Sequence, residues 1–124
     1  MRYIISGKVI RGDGYGEKIG FPTINIDRRD FLKLESKPKF GVYAGSVQFK
    51  TQIQGKTLYK AGIIIGPLDK NNLPKIEAHL IGYNGNAYGK VVEFTINKFI
   101  RKYKIFKTEK ELIVQIKKDL LKCK

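Results

Sequence analysis

Apolar residues fall in short runs over the first hundred positions of the chain, broken by glycine, asparagine and proline. Tyr3–Ile10 carries Ile4, Ile5, Val9 and Ile10. Thr23–Ile26 is a brief extended piece, and Pro22 ahead of it disfavours helical backbone nearby. Gly41–Phe49 alternates in part, with Val42, Tyr43, Val47 and Phe49 on the apolar positions. Thr57–Ile65 follows a turn signal at Gly55, so the spacing predicts a hairpin. Ile76–Tyr83 and Val91–Ile96 bracket the turn-rich Asn84-Gly85-Asn86. Six short strands with turn punctuation predict an antiparallel sandwich or barrel.

Near the C-terminus the period changes. Leu112, Ile116 and Leu120 recur every four residues, and Ile113 and Leu121 widen the stripe. Thr108 followed by Glu111 is a capping box, in which each side chain serves an orphan backbone N–H at a helix start. Together these predict one amphipathic helix over 108–123, packed on the strands, with Lys110, Lys117 and Lys118 on or near its outer side.

Composition narrows the class of protein without naming a function. The chain has 124 residues, room for one core, and neither repeats nor an evident linker, so residues 1–124 read as a single domain. No apolar run approaches the roughly 18–20 residues of a membrane span. The opening Met1-Arg2-Tyr3-Ile4-Ile5-Ser6-Gly7 is too short in its apolar part for a secretory signal. Cys123 is the only cysteine, so no internal disulfide can form. A cytoplasmic protein is the expectation. The net charge is +14, and half of it lies in the last 27 residues, where ten Lys/Arg oppose three acids. Only five arginines stand among many lysines, whereas base-reading surfaces favour arginine forks. The lysines therefore read first as a solvated face, and a nucleic-acid partner is not expected.

Several catalytic motifs are excluded. One histidine and one cysteine cannot build a zinc site. Gly55-Lys56-Thr57 imitates the end of a P-loop, but Lys50 stands where its first glycine belongs. What remains is a loop with Gly12, Gly14, Gly16 and Gly20, leading into Phe21-Pro22-Thr23-Ile24-Asn25. Glycines let backbone N–H groups converge on a polyphosphate, and Lys18 inside the loop would offset phosphate charge. Thr23 and Asn25, two apart on an extended strand, share a face and offer the hard oxygen ligands that suit Mg²⁺. A mobile hairpin with a polar strand start fits the same residues equally well.

Six ordered elements carry a resemblance that spans nearly the whole chain. Gly7-Lys8-Val9-Ile10-Arg11-Gly12 matches G-x-V-x-x-G. Gly16-Glu17-Lys18-Ile19-Gly20-Phe21-Pro22-Thr23-Ile24-Asn25 matches G-R-x-I/L-G-F-P-T-A-N. Pro38-Lys39-Phe40-Gly41-Val42-Tyr43-Ala44 matches P-x-x-G-V-Y-A. Glu77-Ala78-His79 matches E-x-H, and Tyr88-Gly89 the following Y-G. Phe99-Ile100-Arg101, Phe106, Thr108, Leu112, Ile116 and Asp119 follow the closing pattern of the same set. In these elements the chain resembles the riboflavin kinase family, including the kinase half of bacterial bifunctional riboflavin kinase/FMN adenylyltransferases.

The resemblance implies an all-β fold, a six-stranded Greek-key β-barrel with a C-terminal α-helix. It implies Mg-dependent transfer of the ATP γ-phosphate to riboflavin, giving FMN, with the glycine loop over the phosphates. By position, Thr23 and Asn25 would bind Mg²⁺ and Glu77 would be the base on the ribityl 5′-hydroxyl. Arg101, Tyr103 and Phe106 are candidate flavin contacts, and His79 would be structural or orient a neighbour. A separate or linked FMN adenylyltransferase is the implied partner activity. Four departures stand out: Glu17 replaces an arginine, Ile24 an alanine, Ile65-Gly66-Pro67-Leu68 shortens a segment, and an acidic residue is replaced around Tyr103. They leave two rivals, a flavin- or nucleotide-binding barrel without catalysis and a basic nucleic-acid-binding barrel.

Overall fold

The computed structural model describes residues 2–51 and 55–124. The turn expected at Gly55 falls partly outside them. Six strands form the body of the molecule: β1 (Tyr3–Ile10), β2 (Ile24–Ile26), β3 (Gly41–Phe49), β4 (Leu58–Leu68), β5 (Pro74–Leu80) and β6 (Val91–Lys102). A one-turn helix α1 (Tyr15–Lys18) interrupts the glycine loop, a 3₁₀ turn runs over Arg28–Lys33, and α2 (Glu109–Leu121) closes the chain.

The strands pair antiparallel in the closed order β1-β2-β5-β4-β3-β6, with β6 bonded to β1 to complete the cylinder. Strands β3, β4 and β5 follow one another, and β6 returns beside β3, which is the Greek-key connection. The six-stranded barrel with a C-terminal helix expected from the sequence is therefore the fold found.

Period-two alternation builds the core. On β5, Ile76, Ala78 and Leu80 point inward and are buried, while Lys75, Glu77 and His79 alternate with them on the outer face. Tyr59, Ala61, Ile63 and Ile65 do the same for β4, and Val92, Phe94 and Ile96 for β6. After Ile96 the alternation on β6 stops. The pairing with β3 skips a residue twice, since Tyr43 faces Phe99 while Val42 faces Arg101, and Ala44 faces Lys98 while Gly45 faces Ile96. These bulges let β6 run on to Lys102, six residues beyond its predicted end. Strand β5 is also shifted from its predicted range, ending at Leu80 ahead of Gly82, whose φ of 86° breaks the extended backbone.

Helix α2 starts where the capping pattern placed it: the Thr108 hydroxyl accepts the Glu111 N–H at 3.1 Å. It lies along the outer face of β4. A side chain at Gly62 would press on Leu120 and Cys123, so the bare backbone there lets the helix come close. The stripe differs from the predicted one at its end. Leu121 is 67% exposed, while Asp119 and Cys123 are buried. Asp119 faces inward because it receives Arg101 from the end of β6, with Nε at 3.1 and 3.0 Å and Nη2 at 2.9 Å; Gln115 adds a bond at 2.9 Å. This two-pronged pair ties the helix to the barrel.

Asp119→Ala is expected to lower unfolding stability by about 2–3 kcal/mol, less than the ~3–5 of a fully buried pair because Arg101 keeps some contact with solvent. A urea titration checks this, and an unchanged midpoint would mean that the pair does not anchor the helix.

Candidate active site

Outside the barrel, the outer face of β4 and β5 forms the floor of a cleft of about 490 Å³. The glycine loop forms one wall and the 103–108 segment with α2 the other. Thr23, Glu77 and Arg101 line it, as do Tyr103 and Phe106. A second cavity of about 660 Å³ lies on the opposite side of the loop, lined by Arg11, Gly12, Asn25 and Tyr88 among others. Thr23 borders both.

The geometry around Glu77 follows from one strand pairing. Asn25 on β2 stands directly opposite Glu77 on β5, and Ile24 opposite Ala78. Asn25 and Glu77 therefore share a face of the sheet, while Ile24 packs partly into the core. Thr23 lies just before β2 rather than within it, and its hydroxyl donates to Glu77 Oε2 at 3.3 Å. The Lys75 ammonium is 3.9 Å from the same oxygen and 3.5 Å from Asp13 Oδ2. Glu77 is only 13% exposed, and burial pushes its carboxyl above the ordinary carboxylate range. Lys75 pulls in the opposite direction, Asp13 raises it further, and the Thr23 hydroxyl lowers it.

His79, next on that face, donates its Nδ1–H to the Pro22 carbonyl oxygen at 2.7 Å and meets the Phe21 ring edge-on at 5.8 Å. These contacts tie the exit of the glycine loop to β5. Within the loop, Asp13 Oδ1 accepts the Tyr15 N–H at 3.0 Å. Gly14 needs its left-handed φ of 75° to enter α1. Gly12 is required for another reason, since a side chain there would collide with the Asn25 amide.

Not every expected residue comes to the site. Lys18 is exposed at the end of α1 and lines neither cavity, and Gly20 lines neither. Glu17 is exposed and borders the second cavity, not the Glu77 cleft. Gly14 and Pro22 line the second cavity and Gly16 the first. Arg101 lines the cleft but is committed to Asp119, with its guanidinium 5.5 Å from the Phe106 ring. Lys75 and Asp13 were overlooked in the sequence, although Lys75 shares the parity of Glu77 and His79 on one strand.

A match to the family model described as flavokinase, riboflavin kinase, covers residues 1–124. The chain belongs to that family. A curated relative from Buchnera aphidicola subsp. Schizaphis graminum, described as a bifunctional riboflavin kinase/FMN adenylyltransferase, is 32% identical over 120 residues. The match takes in 95% of this chain and 36% of the relative, so the chain spans about a third of that relative's length. The crystal structure of riboflavin kinase from Trypanosoma brucei has the same fold, with a TM-score of 0.67 at 24% identity over 97% of this chain and 76% of that one. A Streptococcus pneumoniae structure described as a macrolide-efflux protein superposes with a TM-score of 0.79 at 25% identity, over 97% of this chain and 38% of that one.

The Glu77 environment makes a stability prediction with a definite sign. Because its folded pKa is raised, its contribution to stability is fully present below the unfolded value of about 4.3 and is lost as pH rises through the folded value. Glu77→Gln should thus unfold no lower than the wild type at pH 7, with the difference closing as pH falls toward 4. Thermal melts across that range test it, and a variant clearly less stable at pH 7 would contradict the burial account.

Proposed function

We propose that residues 1–124 act as one riboflavin kinase unit, moving the γ-phosphoryl group of ATP to the riboflavin 5′-hydroxyl to give FMN and ADP. The observation that carries this reading is the junction of two cavities at Thr23, with a buried, proton-avid carboxylate, Glu77, hydrogen-bonded to it. Both volumes lie in the ~300–1,000 Å³ usual for small-molecule sites. Flavin in the Glu77 cleft and nucleotide on the Asn25 side would bring acceptor and donor together at Thr23.

In the reaction the 5′-oxygen forms the new bond to γ-phosphorus while the bond to the β–γ bridging oxygen breaks. The hydroxyl proton passes to Glu77. Burial suits the carboxylate to this task by raising its proton affinity, and Lys75 opposes that rise. His79 and Phe21 hold the loop exit, so that Thr23 stays within reach of Glu77.

Mg²⁺ fits the donor set. Thr23 Oγ1 and Asn25 Oδ1 are neutral oxygens, and no cluster of three or more His, Cys, Asp or Glu that would hold a metal unaided exists among the described residues. Such a pair suits an ion that keeps several waters and arrives with nucleotide phosphates. Bound there, it would neutralise phosphate charge.

The rival of a barrel without catalysis is not favoured, because Glu17 is exposed and away from the Glu77 cleft while Thr23 and Asn25 stand beside Glu77. FMN made here is what an FMN adenylyltransferase consumes, linked or separate, in keeping with the two activities named for the relative. No helix among the described residues is long and apolar enough to cross a membrane.

Riboflavin-dependent ADP formation is the direct test. Glu77→Gln should retain the fold and lose at least ~10²-fold in turnover. It should also lose the acid limb of the wild-type pH profile, which is expected above the ordinary carboxylate range. Near-native turnover would remove Glu77 from the base role. Asn25→Ala should raise the Mg²⁺ concentration for half-maximal rate, and an unaltered Mg²⁺ dependence would remove Asn25 from the metal site.

A further inference from the structure

The cleft is rich in basic residues, yet most of them are occupied elsewhere. Arg101 is bound by Asp119 on two oxygens. Lys104 leans over the Phe106 ring at 5.3 Å. Lys75 differs. It projects from β5, is 26% exposed, and lies 3.9 Å from the carboxylate at the centre of the site. Its other neighbour is Asp13, at 3.5 Å.

Asp13 is an odd partner for a structural ion pair. Its side chain is 65% exposed, it sits on the glycine loop, and its second oxygen is pinned by the Tyr15 N–H. That bond and the Lys75 charge both hold its carboxyl below the ordinary range, so it is an anion throughout the physiological pH range. An ion pair this open to water is weak and readily exchanged. A phosphoryl group carries more charge than a carboxylate and would compete well for the same ammonium. An anion on Lys75 in place of Asp13 would also lie beside Glu77, where the accepting hydroxyl must be.

We propose that Lys75 is a phosphate-binding residue of this site, neutralised in the empty protein by Asp13, whose carboxylate stands in for the transferred phosphoryl group and is displaced by it. The kinase reading supplies the identity of the anion, and the proposal rests on it for that. Asp13 then has two effects. It keeps a partly buried lysine and Glu77 from meeting alone in the empty cleft, and it competes with substrate for Lys75.

A phosphate-binding lysine with a built-in competitor and a plain structural latch predict opposite signs. Titration calorimetry with inorganic tripolyphosphate on the full chain separates them. Lys75→Met should weaken binding by roughly tenfold or more, the scale of one charge-assisted hydrogen bond, and Lys75→Arg should recover most of it. Asp13→Asn should tighten binding by roughly fivefold, the scale of one solvent-exposed ion pair. In a latch both variants would weaken binding alike, and that result overturns the proposal. So does a Lys75→Met variant that binds like the wild type, or a wild type that does not bind tripolyphosphate. Circular dichroism melts check that each variant is folded, and Lys75→Arg supplies a folded comparison if Lys75→Met is not. FMN formation is followed separately. If no FMN forms while the two variants move tripolyphosphate affinity in opposite directions, the role of Lys75 as an anion-binding residue stands and the kinase reading falls.

Discussion

A three-residue strand holds the architecture and the site together. Strand β2 pairs with β1 through Val9–Ile26 and Ile10–Asn25, and with β5 through Ile24–Ala78 and Asn25–Glu77. Without it the sheet between β1 and β5 is open, so two residue pairs on each side complete the cylinder. The same pairs set the parity of the site. A slip of β2 by one residue would turn Asn25 toward the core and Ile24 toward solvent, while Glu77 stays fixed by the pairing of β5 with β4. Burial of an uncompensated polar group and exposure of an apolar one opposes that slip. Placement of the candidate catalytic pair is therefore enforced by core packing, not by the site residues themselves.

That placement sets up a tension between stability and chemistry. Glu77 is on the outer face of the barrel, yet the glycine loop and the 103–108 segment cover it until little of the side chain reaches water. Desolvation raises its proton affinity, as a proton acceptor needs. Lys75 and Thr23 oppose it from within hydrogen-bonding or ion-pair range. The His79 contact with the Pro22 carbonyl and the Arg101–Asp119 pair belong to the same arrangement. One pins the loop and the other the helix, and the cleft exists because both walls are held.

Where structure follows periodicity, the sequence discloses it. Five strand starts, three of them to the residue and two within one, and the capped helix come from alternation, turn residues and the Thr108–Glu111 pattern. The continuation of β6 does not, because bulges near Asn97 and Ile100 destroy the alternation that reports a strand. The 3₁₀ turn at 28–33 depends on Asp27 accepting the Arg29 N–H and on Asp30 lying buried against Gly7, neither of which is periodic. Leu121 looked like stripe and is exposed, since the 3.6-residue turn carries Asp119 and Cys123 to the barrel instead. In the site, Thr23, Asn25 and Glu77 come from motif resemblance. The need for glycine at 12 arises from the Asn25 side chain thirteen positions away, which no local signal reports. Lys75 was hidden among many lysines, though its parity with Glu77 distinguishes it.

The origin of the positive charge matters for how such a site works. In the family pattern the glycine loop carries an arginine at the position of Glu17, so a cation would move with the loop. Here Glu17 is exposed beside the second cavity and Lys18 is exposed and lines neither. The ammonium near Glu77 instead rises from β5, one of the strands whose alternate side chains form the core. A charge on a rigid strand is already in place before substrate binds, so it adds less ordering cost than one carried by a loop. The loop contributes Asp13, whose carboxylate stands 3.5 Å from that ammonium. Under the proposed displacement of Asp13 by phosphate, charge on the strand and counter-charge on the loop divide the work that a loop arginine would do alone.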